Sequence, residues 1–219
     1  MSRKVCITAV DGNTGFLIAE LILKYRDFSR KPRLREFADL ETIVMEAKGD
    51  PGVSTGTSPC IIRAGFYVEN LLLYAPQAKE EGVLPLPIGD YHKFAPVALS
   101  DVAQVAAHVL TGKVKHGFDD RHRGQMIVPH ALCRQRIAAA ASKAFGTELQ
   151  FENISHAEAK RVLKSQSELD QSEQQYLLEY YGPAKEGNTN YISTSAFHDV
   201  TGEHPTEPEN FFKIYEGER

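Results

Sequence analysis

The residues that most clearly could do chemistry lie close to the amino terminus, in the segment Thr8-Ala9-Val10-Asp11-Gly12-Asn13-Thr14-Gly15-Phe16. It follows a short β-branched run, Lys4 to Ala9, and precedes an apolar stretch, Phe16 to Tyr25, that reads as a helix. A strand, a glycine turn and a helix in that order open a βαβ unit. A diphosphate bound at such a turn needs a tight bend, close approach of the backbone and the positive end of a helix. Gly12 permits the close approach, Gly15 lets the helix pack near the strand, and Asn13 and Thr14 offer donors. The spacing GxxGxxG would put its first glycine at Ala9, so two of its three glycines are present. Asp11 costs affinity there unless its carboxylate turns away or caps an amide. Two glycines alone suit a ligand-free βα turn equally well. Their place between a strand and a helix favours Gly12, Asn13, Thr14, Gly15 and Phe16 as cofactor-binding residues.

Other chemistry-bearing groups read as structural. Tyr181 and Lys185 have the Tyr-x-x-x-Lys spacing that lowers a tyrosine pKa for proton transfer. Gly182 and Pro183 lie between them, so a continuous helix is not expected there. No catalytic residue is assigned. His116, Asp119, Asp120 and His122 fall in a glycine-flanked charged loop and read as solvated, as do His198, Asp199 and His204. No metal site is assigned. Cys6, Cys60 and Cys133 are widely spaced, with no CxxC pair.

The whole composition sets the frame for these groups. The chain has 219 residues, 42% hydrophobic and 25% charged, with a formal net charge of −4. That is enough for a globular core. The charge disfavours direct nucleic-acid binding, which needs excess Lys and Arg to displace counterions. Neither a signal peptide nor a membrane span is expected, and a reducing, cytoplasmic setting fits.

Further along, Glu36 to Lys48 has helical spacing of Phe37, Leu40, Ile43, Val44 and Ala47. Cys60 to Arg63 reads as a strand, Phe66 to Tyr74 as an amphipathic helix, Gly82 to Ile88 as a Pro-rich connector, and Phe94 to Leu99 as extended. Ser100 should cap a helix that Gly112 closes. Gln125 to Val128 reads as a strand, Leu132 to Phe145 as a helix ended by Gly146, and Glu148 to Asn153 as a strand. Ser155 with Glu158, and Thr206 with Glu209, form capping boxes. A helical stretch runs from the first box towards Tyr181, broken into two.

These stretches together resemble the NmrA-like branch of the short-chain dehydrogenase/reductases. The resemblance rests on ITAVDGNTGFLIAELIL, on FADLETIVMEAK with SPCIIRAGFYVEN, on FAPVALSDVAQVAAHVL, and on TGEHPTEPENFF, in the family's order. It implies an NAD- or NADP-binding Rossmann domain with a small C-terminal lobe, and a cleft lined by Arg63, Gly65, Phe66, Tyr67, Glu69 and Asn70. Without the family, Phe66 reads as core and Glu69 and Asn70 as helix surface. The expected fold is therefore α/β: a truncated Rossmann-like parallel sheet flanked by helices. Residues 1–130 would form the shortened dinucleotide domain and 131–219 the lobe, the two able to form one compact unit.

The chain departs from that pattern between its first helix and Arg33, where the family places several strands and helices. A ribose-reading residue belongs roughly 20 residues beyond the glycine turn. That count lands near Arg35 and Glu36, inside the second expected helix. Pro129, His130 and Ala131 replace a second family segment. An internal deletion, or an imperfect gene model, accounts for both. The Lys4–Ala9 strand would then pair with a later strand, such as Cys60–Arg63, and an open strand edge favours self-association. Three functions follow: a redox-sensing or regulatory dinucleotide-binding protein, weakly catalytic at most, that also engages protein partners; an NAD(P)H-dependent oxidoreductase of the atypical type; or a degenerate chain that binds no cofactor. Impaired dinucleotide binding is expected.

Overall fold

A computed structural model describes residues 61–64, 66–91, 93, 96–111, 125–127, 134–165, 170–187 and 195–217, with residues 35, 36, 39, 40 and 43. The glycine turn at 12–16 and Gly65 lie outside the described residues, as do the Lys4–Ala9 and Phe16–Tyr25 segments and the histidine loop at 116–122. In the Glu36–Lys48 stretch the described residues are helical, and Arg35 meets Asp39 at 3.8 Å one turn on. Leu40 and Ile43 are exposed there.

The order from residue 61 onward is β1 (Ile61–Arg63), β2 (Phe66–Tyr67), a 3-10 helix (Val68–Tyr74), α1 (Ala75–Glu81), β3 (Val83–Leu86), β4 (Pro96–Val97), α2 (Leu99–Thr111), β5 (Gln125–Ile127), α3 (Arg134–Phe145), β6 (Gln150–Asn153), α4 (His156–Ser165), α5 (Gln171–Lys185), α6 (Ala196–Thr201) and α7 (Pro208–Gly217). The strands pair β1 with β5, β2 with β4 and β3 with β6, all parallel. Parallel partners cannot be joined by a tight hairpin, so helices cross over between them. The α/β expectation is met: parallel strands flanked by helices. Among the described residues no helix is long and apolar enough to cross a membrane.

Two segments differ from their sequence reading. Phe66 to Tyr74 is not one amphipathic helix: Phe66 and Tyr67 are extended and pair with Pro96 and Val97. Only from Val68 does the chain coil, and then as a 3-10 helix. Gly82 to Ile88 is not a connector, because Val83–Leu86 is a strand on β6. Pro85 hides that strand in the sequence, since proline cannot give a ladder donor and is tolerated only where none is needed.

Strand alternation at β2 sorts the core. Adjacent residues of a strand face opposite ways. Phe66 enters a cluster with Leu71, Tyr74, Leu84, Leu86, Ile137, Tyr176, Tyr180, Tyr181 and Phe212. Tyr67 enters a second with Ala64, Val97, Val105, Val109, Phe197 and Val200. The first cluster joins residues from both sides of position 130. Each large apolar side chain taken fully from water contributes about 1.5–3 kcal/mol.

Local rules set most helix ends. Ser155 and Glu158 exchange their bonds, at 2.8 and 3.2 Å. Gly146 ends α3 at a φ of 64°, a conformation costly for a residue with a Cβ. Asp170 caps α5 with its carboxylate on the Ser172 and Glu173 amides, a box the sequence reading missed. Thr206 does not act in a box with Glu209. Its amide and hydroxyl both donate to the Asp101 carboxylate, at 2.8 and 2.7 Å, tying the segment before α7 to the first turn of α2. A buried acid at that distance outcompetes the local glutamate. Arg136 adds a second tie from α3, at 3.0 Å to Glu207.

Helix α5 runs straight through Gly182 and Pro183, contrary to expectation. Pro183 falls in the last turn, where few bonds are lost. Tyr180, Tyr181, Pro183 and Ala184 are all buried, and that burial outweighs the local cost. Within this core the Tyr74 hydroxyl donates to that of Tyr181 at 3.1 Å. Burial pushes the Tyr74 hydroxyl up to about 12, against the lowering bond to Tyr181, and pushes Tyr181 well above its ordinary 10.0.

Two outcomes are expected. Y74F and Y181F each cost about 1–3 kcal/mol, because each leaves a buried hydroxyl without its partner. The double change costs less than their sum, and strict additivity in urea melts would show the pair uncoupled. Burial also raises the Asp101 carboxyl above its ordinary 3.8, with the Thr206 bonds opposing. The folded state then holds that proton more tightly than the unfolded chain. Its contribution to stability is complete below about pH 4 and is lost as pH rises through the folded value. In D101N this part of the profile flattens, while D101A at neutral pH costs about 1.5–3 kcal/mol. An unchanged profile in D101N counts against this account.

Candidate functional site

In open parallel α/β sheets, ligands bind outside the carboxyl ends of the strands. The 3-10 helix begins directly after the carboxyl end of β2, and α2 begins two residues after the carboxyl end of its partner β4. Glu69 and Asn70 therefore sit where a ligand is expected. The Glu69 carboxylate spans the two strand ends: its Oε1 accepts the Leu99 amide at 2.9 Å, holding the first residue of α2. Leu99, not Ser100, is the first helical residue, and a side chain from another element serves its amide.

One further polar atom of each side chain is uncommitted. Glu69 Oε2 and Asn70 Nδ2 are shut off from solvent and have no hydrogen-bond partner among the described residues. An orphaned polar group of this kind costs about 1–3 kcal/mol, and native structures keep such groups rarely and often for function. Here an acceptor and a donor on consecutive residues are left over at the carboxyl edge of parallel strands. Burial raises the Glu69 carboxyl above its ordinary 4.5; the Leu99 amide lowers it, and the nearby Asp101 charge raises it further. Both carboxyls thus gather at the positive end of α2.

The sequence-predicted cleft residues divide. Arg63 is the last residue of β1, with its backbone opposite Ile127 of β5. Phe66 has no exposed surface; its ring packs 5.0 Å from Tyr180 and 5.8 Å from Tyr181. Tyr67 is buried in the second cluster. Glu69 and Asn70 are half-buried and carry the polar chemistry. The sequence reading missed Leu99 and Asp101 as part of this arrangement. Asp101 offered a signal in the stretch ALSDVAQVAA, as an acid at the opening of a helix, but only a contact far along the chain gave it a role.

Tyr181 and Lys185 lie one turn apart on α5, yet Tyr181 is buried against Tyr74 while Lys185 is exposed. His198 lies 3.8 Å from Asp199, both half exposed at the surface. Among the described residues no three His, Cys, Asp or Glu side chains cluster as a metal site. A depression of about 700 Å³ lies between α3 and β6, lined by Ala138, Ser142, Lys143, Leu149 and Phe151 among others, and none of the predicted site residues borders it.

A dinucleotide fits what is present in one respect. The uncommitted Glu69 oxygen and Asn70 nitrogen complement a polar aromatic group, such as a nicotinamide or an acceptor bound beside it, and they stand at the strand ends where such a group sits in a parallel sheet.

No protein-family model matches the chain. It is 30% identical over 109 residues to an NAD(P)H azoreductase of Xenophilus azovorans, a match covering 50% of this chain and 36% of that protein. It is 32% identical over 108 residues to quinone oxidoreductase 2 of Escherichia coli, covering 48% and 35%. The matches thus span about a third of the length of these relatives. Among solved structures, the triphenylmethane reductase of Citrobacter sp. complexed with NADP(H) superposes with a TM-score of 0.66 at 15% identity, over 98% of this chain and 76% of that one. The E. coli quinone oxidoreductase complexed with NADPH gives 0.65 at 21%, over 97% and 64%. A nucleoside-diphosphate-sugar epimerase of Staphylococcus aureus gives 0.67 at 16%, over 97% and 76%. The chain shares the Rossmann-like α/β fold of these reductases and this epimerase, with parallel strands flanked by helices.

Proposed function

We propose that this chain is an NAD(P)H-dependent oxidoreductase of the atypical short-chain dehydrogenase/reductase type, related to the NmrA-like branch, acting on quinone or azo acceptors. The observation that carries it is similarity to two NAD(P)H reductases of that chemistry, a quinone oxidoreductase and an azoreductase. The position of Glu69 and Asn70 at the carboxyl ends of parallel strands supports it. This reading is favoured over a purely regulatory dinucleotide sensor, since both relatives are named for reductase activity. NADP is the dinucleotide in the two reductase structures of the same fold.

In this reading Gly12, Asn13, Thr14, Gly15 and Phe16 hold the diphosphate through backbone amides at a helix start. Arg63 and Gly65 are assigned to the substrate cleft from the sequence, with Glu69 and Asn70 as its polar groups. Phe66 and Tyr67 act from beneath, fixing the 3-10 helix through the two apolar clusters. A bound dihydronicotinamide supplies hydride. What this chain supplies is orientation, exclusion of water by the buried cores, and polar groups at the acceptor.

The expected result is saturable enhancement of NADPH fluorescence on titration, with NADPH oxidation in the presence of a quinone or an azo dye. G15V, which changes the second glycine of the turn read from the sequence, should weaken binding by about tenfold or more, equivalent to about 1.4 kcal/mol. Absence of saturable NADPH binding, with the protein shown folded by circular dichroism, would overturn the reading. Binding without oxidation of any acceptor would return the protein to the regulatory class.

A further inference from the structure

We infer that the outward face of α2 is a self-association surface, on which a second copy of this chain docks antiparallel about a two-fold axis. The observation that carries this is a helix with no side suited to water. Asp101, Val105 and Val109 form its buried face. Successive helical residues are about 100° apart, so the opposite face carries Leu99, Ala103, Ala106 and Leu110, flanked by Ala107. Leu99 is 43% exposed and Leu110 47%, and Ala103 and Ala107 are exposed between them. The ionisable residues of α2 are Asp101, buried and bound by Thr206, and His108, whose ring meets the Gln104 carbonyl. By contrast α1, α3, α4, α5 and α7 expose Lys79, Arg136, Lys160, Lys185 and Lys213. A helix apolar on every side belongs in an interior or an interface.

The order of the stripe selects the occupant. Leu, Ala, Ala and Leu follow at intervals of four, three and four residues, which read the same from either end. A two-fold contact is isologous: where residue i meets j of the partner, j meets i. An antiparallel copy therefore sets Leu99 against Leu110 of the second copy and Ala103 against its Ala106, and each contact occurs twice. The central alanines let the axes approach to about 8 Å, the close end of ordinary helix packing. The leucines close the two ends, about 16 Å apart along the axis. Charge agrees with this choice. The net charge of −4 opposes contact between copies elsewhere on the surface, whereas this face sets no carboxylate or cation against its own image. A strongly acidic or basic partner would find nothing on it to pair with.

The face is also held in place from behind. Glu69 binds the Leu99 amide, Thr206 binds Asp101, and Gln104 donates to Glu203 at 2.8 Å. Val105 and Val109 pack in the cluster with Phe197 and Val200. Docking therefore has little left to order. The stripe is short beside the roughly 800 Å² per copy of a standard stable interface, so the dimer is weak, with a Kd on the order of 10–100 μM. This inference stands apart from the reductase reading.

Sedimentation equilibrium of the full chain tests it, over concentrations from about tenfold below to about tenfold above that Kd. The wild-type mass should rise from 24.4 kDa towards twice that value. L110E and A103E should each weaken the dimer by about tenfold or more, since each buries an unpaired carboxylate in the contact. Their circular dichroism and melting temperatures should match wild type, because both positions are exposed. An equimolar mixture of A103E and A106K should associate where neither does alone, since the antiparallel register sets the two opposite charges together. A wild-type chain that stays monomeric throughout overturns the inference and leaves α2 to a different protein. A wild-type dimer that survives both L110E and A103E overturns it and puts self-association on another surface. A mixture no tighter than its components overturns the antiparallel pairing. Should L110E disturb the fold, A103E decides.

Discussion

Parallel pairing of every described strand is the constraint from which the rest of the structure follows. A parallel partner cannot be reached by a two-residue turn, so each pair obliges the chain to cross over and return. The crossovers are the helices, and their apolar faces supply the two clusters on either side of β2. Because strands in such a pair point the same way, their carboxyl ends fall together. That is how residues 69 and 99, thirty positions apart, come to share a hydrogen bond.

That bond has two uses. It satisfies the leading amide of α2, which no residue beside it caps, and it orients a carboxyl at the edge of the strands. Asp101, in the first turn of the same helix, does the equivalent job for the segment before α7 through Thr206. A buried and a half-buried acid at one helix terminus are electrostatically costly to each other. The positive end of the helix and three donated hydrogen bonds offset part of that cost. The outcome is a joint through which β2, β4, α2 and the carboxyl-terminal segment are held in register, with one carboxyl oxygen and one amide nitrogen left over.

The tyrosine core makes the same point about burial overriding local preference. A helix with Gly-Pro near its end should stop, yet α5 continues because Tyr180, Tyr181 and Ala184 have nowhere better to go. The Tyr74–Tyr181 hydroxyl pair then settles polar atoms that would otherwise be stranded in an apolar interior.

The sequence by itself determined the elements whose signals are local. The helices at Leu99, Arg134 and His156 declare themselves through local composition and end signals, among them the Ser155–Glu158 box and Gly146, because those interactions span only a turn. A short apolar run shows β1, and the alternation of Leu149 and Phe151 with polar residues shows β6, for the same reason. Glu69 and Asn70 were legible as candidates through the resemblance of GFYVEN to a known segment. What only tertiary structure decided was contact between distant positions: the strand at Val83–Leu86 despite Pro85, the extended start of the 3-10 helix, the passage of α5 through Pro183, and the choice of Asp101 over Glu209 as the partner of Thr206. Each turns on desolvation and pairing with residues far along the chain, quantities that no window of neighbouring residues contains.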